Sequence, residues 1–133
     1  RDPTLRAAPD SPPPYPWPFQ QSLVLRGSAE AALGECDRAR EYLFAARDDM
    51  ARRSNLNDWY WRMPLESGLT ELWLAEGNLA QARLQAERFL GVTLTTAERT
   101  WQALAWEANA RVAMAECDAP RAQECIVKLV FYS

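Results

Sequence analysis

Three stretches decide how this chain folds: Ala32-Leu33-Gly34-Glu35-Cys36-Asp37-Arg38-Ala39, Ala75-Glu76-Gly77-Asn78-Leu79-Ala80-Gln81-Ala82 and Ala115-Glu116-Cys117-Asp118-Ala119-Pro120-Arg121-Ala122. In each, a small residue closes a helix, a polar residue follows, and an alanine stands five positions after the small one. Glycine reaches the left-handed backbone region that ends a helix without steric cost. A turn this short forces the two flanking helices antiparallel and close together. The alanine falls where the second helix crosses the first, and a larger side chain there would push the pair apart. Cys117 holds the glycine place in the third stretch, which implies either backbone strain or a different cap. The turn residues 34, 77 and 117 stand 43 and 40 positions apart, so one structural unit is used three times.

Outward from these turns, apolar residues recur at helical spacing and no strand or hairpin pattern competes. The first helix is predicted from about Gln20 to Leu33. The second follows Gly34–Asp37 and continues to about Arg53, with Ala39, Tyr42, Leu43, Ala46 and Met50 on one face. Ser54 to Asp58 is a polar break that holds N-cap residues. The third helix ends at Glu76. Pro64 leaves it two possible starts, near Arg62 or at Asp58 with a kink. A fourth covers about Leu79 to Leu90. Thr95-Thr96-Ala97-Glu98 reads as a capping box that opens a fifth helix ending near Glu116. Pro120 suits the first turn of a sixth, which runs into the C-terminus.

Residues 1–19 hold seven of the nine prolines, so they read as an extended arm ahead of three helical units at 20–56, 57–94 and 95–133. Tyr15, Trp17 and Phe19 within the arm are expected to dock on the helical body, since a plain linker seldom carries aromatics. Pro12 to Tyr15 also makes a tetrapeptide of the kind WW domains bind, a short and weak signal.

Gly34-Glu35-Cys36-Asp37-Arg38-Ala39 and Gly77-Asn78-Leu79-Ala80-Gln81-Ala82 resemble the G-D-x-x-x-A element of the tetratricopeptide (TPR) repeat family. The resemblance implies an all-α fold of right-handed antiparallel helix hairpins, about six helices in all. In the family register a large residue followed by a small one falls on Leu23 and Gly27, and on Trp106 and Ala110. The second unit departs, with Glu66 and Thr70 at those places, and the spacing exceeds the family's usual 34. Longer repeats of this kind resemble helical sensor regions of multidomain bacterial regulators, a likeness centred on Trp59 to Val112. The register implies a concave face bearing Gln21, Ser28, Ser67, Glu71, Glu107 and Arg111 as a groove for a peptide or partner. Within it, an ion pair between Glu71 and Arg111 is favoured over free charges. Ala39, Gly77, Ala82, Trp106 and Ala122 are the repeat-packing positions.

Composition narrows the function. The chain has 133 residues, 48% hydrophobic and 25% charged, with a net charge of −3. That argues against direct nucleic-acid binding, and no apolar run is long enough to span a bilayer. Arginine outnumbers lysine 14 to 1, but acids are interspersed throughout. The bias therefore reads as composition ahead of anion binding. Three cysteines without CxxC spacing read as free thiols of a reducing cytoplasm. There is no histidine and no GxGxxG or GxxxxGK[ST] loop, and Glu66, Glu71 and Glu107 have no spacing that demands acid–base work. No enzyme, metal or cofactor is expected. The start at Arg1, with no signal-peptide layout, reads as a piece of a longer or processed polypeptide.

Six tryptophans stand out. Trp73 and Trp106 are expected to fill space between helix pairs. Trp59-Tyr60-Trp61 cannot all point inward from one helix, so Trp59 and Trp61 are expected at an aromatic rim. Ile126 to Tyr132 is apolar nearly all round, which suggests burial on several sides and contact with a further repeat or a second copy. The function expected is a protein-interaction module inside a larger cytoplasmic regulator, binding a protein, a peptide or a neighbouring domain. The alternative is a small-ligand sensor with a Trp-lined pocket between repeats.

Overall fold

The computed structural model describes the backbone of residues 16–52 and 58–133 and the side chains of 19–52 and 61–133. Over those residues the chain is all helical: α1 Pro16–Ala32, α2 Cys36–Arg52, α3 Asp58–Glu76, α4 Leu79–Thr93, α5 Arg99–Ala115 and α6 Ala119–Tyr132, with no strand among the described residues.

The three turns repeat one hydrogen-bond pattern. The Gly34, Gly77 and Cys117 amides donate to Ala31, Leu74 and Met114 carbonyls at 3.0–3.1 Å. The next amides, of Glu35, Asn78 and Asp118, reach back to Glu30, Trp73 and Ala113 at 2.9 Å. This is the paired closure of a helix by a left-handed residue. Gly34 and Gly77 take φ of 79° and 75°, and Cys117 takes φ 60° despite its side chain. Of the two alternatives the sequence left open, strain is the one realised. Asn78 and Asp118 then cap the following helices, accepting from the Gln81 and Arg121 amides at 3.3 and 3.2 Å. Ala39, Ala82 and Ala122 are 0%, 0% and 7% exposed, as crossing points require.

Three boundaries differ from expectation, and one left open is decided. First, α1 begins at Pro16, not Gln20, so the helical body takes in the end of the 1–19 arm. Pro16 and Pro18 sit in its first turn, where amides have no intrahelical acceptor to lose. Second, of the two starts left open for α3 the structure takes Asp58, with Pro64 inside the helix. Contacts with four other helices outweigh the roughly 3 kcal/mol that an interior proline costs. Third, α4 runs to Thr93, three residues past the expected end. Fourth, the capping box does not form. Thr95 and Thr96 hydroxyls donate to the Val92 and Thr93 carbonyls at 2.7 and 2.9 Å, closing the extended α4. α5 therefore begins only at Arg99, with Glu98 as an N-cap that makes no side-chain bond. The remainder of the arm, Tyr15 and the polar break at 54–57 lie outside the described residues. So do the side chains of Trp17, Trp59 and Tyr60. Phe19 is half-buried in α1.

Packing follows the chain. Helices pair as α1·α2, α3·α4 and α5·α6. Each second helix touches the next first helix (α2·α3, α4·α5), and the first helices touch one another (α1·α3, α3·α5). Among the described residues, the backbones of α1 and α2 make no contact with those of α5 and α6, so each hairpin packs on its neighbours in the chain. Val24, Ala39, Leu43, Ala46, Leu65, Leu69 and Leu72 knit the first two hairpins, and burying Leu43 completely contributes on the order of 1.5–3 kcal/mol. Around it the backbones come close: a Cβ on Gly27 would lie 2.5 Å from Leu43 Cγ, and one on Gly68 would lie 2.6 Å from Ser28 Oγ.

A salt bridge repeats with the hairpins. Arg40, six residues after Gly34, holds the carboxylate of Glu76, the residue before Gly77. Arg83, six after Gly77, holds Glu116, the residue before Cys117, at 3.1 and 3.2 Å. That bond pushes the Arg83 guanidinium further up in pKa, so it stays a cation. Each bridge ties one hairpin to the turn of the next.

Candidate functional site

α3 is the central helix, and its two open faces carry two clefts. The first lies over α3 and α5. It has a volume of about 210 Å³ and gathers Ser67 and Glu71 from α3 with Glu107 and Arg111 from α5. Four of the six groove residues read from the sequence thus meet in one place, and α3 and α5 align them because first helices of successive hairpins pack side by side. Gln21 and Ser28, the other two, do not line this cleft, and both are half-buried on α1. Ser28 faces the close approach of α1 to Gly68. Arg111 donates from Nη1 to Glu71 Oε2 at 2.7 Å and from Nη2 to Oε1 at 3.2 Å, a two-pronged pair across adjacent hairpins. The Glu71 bond raises the Arg111 pKa against the opposing effect of burial, and Glu107 adds a second carboxylate nearby.

The second cleft lies between α2 and α4, where those helices fail to touch, and α3 forms its floor. Its volume is about 550 Å³. Leu65, Leu69 and Trp73 line the floor, and Arg62 and Glu66 stand beside them. Glu66 occupies the place where the family register wants a large apolar residue, yet it is only 2% exposed. The gap left between α2 and α4 explains how a carboxylate is tolerated there: three donors reach it through the cleft. Arg62 Nε donates to Oε1 at 2.9 Å, Arg88 Nε approaches the same oxygen at 3.3 Å, and the Gln85 amide donates to Oε2. Gln85 in turn accepts from Trp73 Nε1 at 3.4 Å. Glu66 and the pair Glu71 and Glu107 line different clefts, so the three glutamates form no single carboxylate site.

Trp61 is not at a rim. It is 8% exposed and belongs to the core of the first two hairpins, because it shares a face of α3 with Leu65, Leu69 and Leu72. Trp73 is half-buried against Ala82, Ala86 and Val112, with Phe44 at 5.9 Å, and Trp106 on α5 is also half-buried. Gly77 is an exposed turn residue.

The last helix is not buried on several sides either. Ala122 and Cys125 pack inward, while Ile126, Val127, Val130 and Phe131 are exposed. α6 packs against α5, with Arg121 reaching Glu87 of α4 at 3.7 Å, whereas α2 and α4 each have a following helix against them. Arg99 fastens its end, donating to the Phe131 carbonyl at 2.7 Å beneath the Phe131 and Tyr132 rings.

Sequence reading missed Glu66 as a buried, Arg-bound group, the buried Gln20–Asp49 hydrogen bond of 3.0 Å, and Asn109, whose amide joins α5 to the Ala86 carbonyl of α4 at 2.9 Å. The one available signal was Glu66 itself, a charged residue at an apolar position of the repeat. The three cysteines are unpaired, and among the described residues no group of His, Cys, Asp or Glu is arranged to hold a metal ion. No described helix is long and apolar enough to cross a membrane. Comparison with protein-family models, with curated proteins and with solved structures gives no match.

Proposed function

We propose that this chain is a protein-interaction scaffold, a right-handed stack of tetratricopeptide-like hairpins within a larger bacterial regulatory protein of the cytoplasm. The observation that carries the reading is the convergence of Ser67, Glu71, Glu107 and Arg111 in the α3–α5 cleft. The side-by-side packing of α1, α3 and α5 holds such a surface open before a partner arrives, so little ordering entropy is lost on binding. Arg111 and Glu71 already satisfy each other. A peptide would therefore bind by inserting its own charged groups into that pair, and a partner bearing both signs is favoured over a purely acidic one. The exposed face of α6 is a second contact surface, suited to another repeat of the parent chain or to a second copy.

Panning the chain against a random peptide library tests the scaffold reading. Selected peptides should lose at least about tenfold in affinity with Arg111→Ala or Glu107→Ala and keep it with Arg88→Gln on the other cleft. Retention by the α5 variants would remove the groove from the proposal. Light scattering at high concentration tests α6: a strictly monomeric chain excludes pairing of copies through it.

A second reading, the ligand sensor, is favoured by the α2–α4 cleft. Its volume lies within the roughly 300–1,000 Å³ of small-molecule sites, and Trp73 borders it. A ligand seated between two second helices would set their separation and hence the curvature of the array.

A further inference from the structure

We infer that the α2–α4 cleft is a binding site for an amphipathic organic anion, a small carboxylate or phosphate ester with an aromatic or aliphatic body. The inference rests on the ligand-sensor reading and supplies its ligand class.

Charge decides the sign of the ligand. Three guanidiniums, of Arg47, Arg62 and Arg88, line the cleft, and the carboxylates paired with them are two, Glu66 in the cleft and Asp48 beside Arg47, which leaves positive charge in excess. Glu66 cannot serve an incoming cation, because it is buried, its two oxygens already accept from Arg62 and Gln85, and Arg88 is ion-paired with it at 3.3 Å. The guanidiniums are held in a particular way. Arg62 and Arg88 meet Glu66 through Nε, and Arg47 meets Asp48 through Nε at 3.2 Å. Among the described residues, no hydrogen bond engages the Nη atoms of any of the three. Each planar fork is thus held at its Nε edge, that of Arg47 also stacking over the Phe44 ring at 4.1 Å, with its terminal donors open, and all three side chains remain accessible to water. A carboxylate or phosphate is the group whose paired oxygens match such donors.

Shape decides the rest. Leu65, Leu69 and Trp73 give the floor an apolar body, with Met50 and Val92 on the flanking helices. Trp73 is fixed rather than loose: Phe44 packs on it and its Nε1–H is bound to Gln85, which is bound to Glu66. The aromatic surface and the arginine anchor are therefore parts of one hydrogen-bonded chain. A ligand with an anionic head and an apolar body satisfies both at once, whereas inorganic phosphate would leave the floor uncovered.

The test is calorimetric titration of the whole chain with 2-naphthoate, 2-naphthyl phosphate and the uncharged 2-naphthalenemethanol. Both anions should bind at least about tenfold tighter than the alcohol, the size expected of one charge-assisted contact. Their affinity, but not the alcohol's, should weaken as salt is raised. Arg88→Gln and Arg47→Gln, each replacing a well-exposed side chain, should each weaken the anions several-fold, and Arg38→Gln on the outer surface of α2 should not. The salt series needs no variant, so it stands even if a cleft substitution disturbs folding. Equal binding of acid and alcohol, or anion affinity unchanged in both cleft variants, overturns the ligand class; binding by none of the three overturns the site. Small-angle scattering separates the underlying reading: anion binding without any change in the dimensions of the chain sinks the sensor and leaves the site intact.

Discussion

Replacing Cys117 with glycine should make this protein more stable, although it removes a side chain. Cys117 is the described non-glycine residue with positive φ, 60°, at the position that Gly34 and Gly77 fill in the other two turns. A left-handed conformation costs an L-residue about 1–2 kcal/mol. Glycine escapes that cost but brings extra freedom to the unfolded chain, which offsets about 0.5–1 kcal/mol. Cys117 is exposed, so little packing is lost. The net gain is about 0.5–1 kcal/mol. With an unfolding entropy of about 2.1 cal/mol/K per residue, Tm rises by about 2–4 °C in a chain this long. The reciprocal change, Gly77→Ala, should cost a similar amount. A Cβ at Gly77 meets no atom within 4 Å, so its penalty is conformational and nothing else. Thermal and urea unfolding of both variants, followed by far-UV circular dichroism, gives the two shifts with opposite signs. A Cys117→Gly protein that melts at or below the parent temperature would refute the claim that this turn stores backbone strain.

Gly27→Ala should destabilise by about 1–3 kcal/mol despite its gain in helix propensity, because the new Cβ collides with Leu43, whose backbone nitrogen is itself 3.2 Å away. Gly91→Ala, with no atom within 4 Å in α4, should instead stabilise by up to about 1 kcal/mol, and denaturant midpoints of the pair decide the matter. Asn109→Leu removes the bonds to the Ala86 and Ala105 carbonyls and the one received from Arg121, and should cost about 1–3 kcal/mol in the same assay. Burial pushes the Cys125 thiol up, with nearby Arg121 opposing, so less thiolate forms at neutral pH; iodoacetamide should label native Cys117 well before Cys125, as read by mass spectrometry. The raised value also carries a stability sign. As pH climbs past the ordinary thiol range, the unfolded chain releases this proton first, so stability falls on the alkaline side, and Cys125→Ala should lessen that fall.

What could be read from the sequence was local. Helix endings at residues 34, 77 and 117 depend on hydrogen bonds spanning three and five positions, so glycine, a polar follower and a crossing alanine within eight residues were enough to specify three hairpins. The number of helices followed, and so did the meeting of Ser67 and Glu71 on α3 with Glu107 and Arg111 on α5, because a recurring spacing carries one register into the next. The boundaries that moved were those where one local signal had a competitor, as at Thr95 and Thr96, whose hydroxyls close α4 instead of capping α5.

The tertiary structure alone decided how far apart the second helices stand. Whether α2 and α4 touch depends on side chains on three helices at once, and no window of sequence contains them. That separation turns Glu66 from an anomaly into a buried anchor, brings Arg62 and Arg88 to it, and exposes the Trp73 edge that the sequence placed in the core. The same holds for Gly68, Gln20 and Asp49, whose meaning lies in partners 20 or more residues away or on another helix. Turn chemistry is written in neighbouring residues, whereas a cleft is the space left over once whole helices have packed, and only their final distances fix its shape and charge.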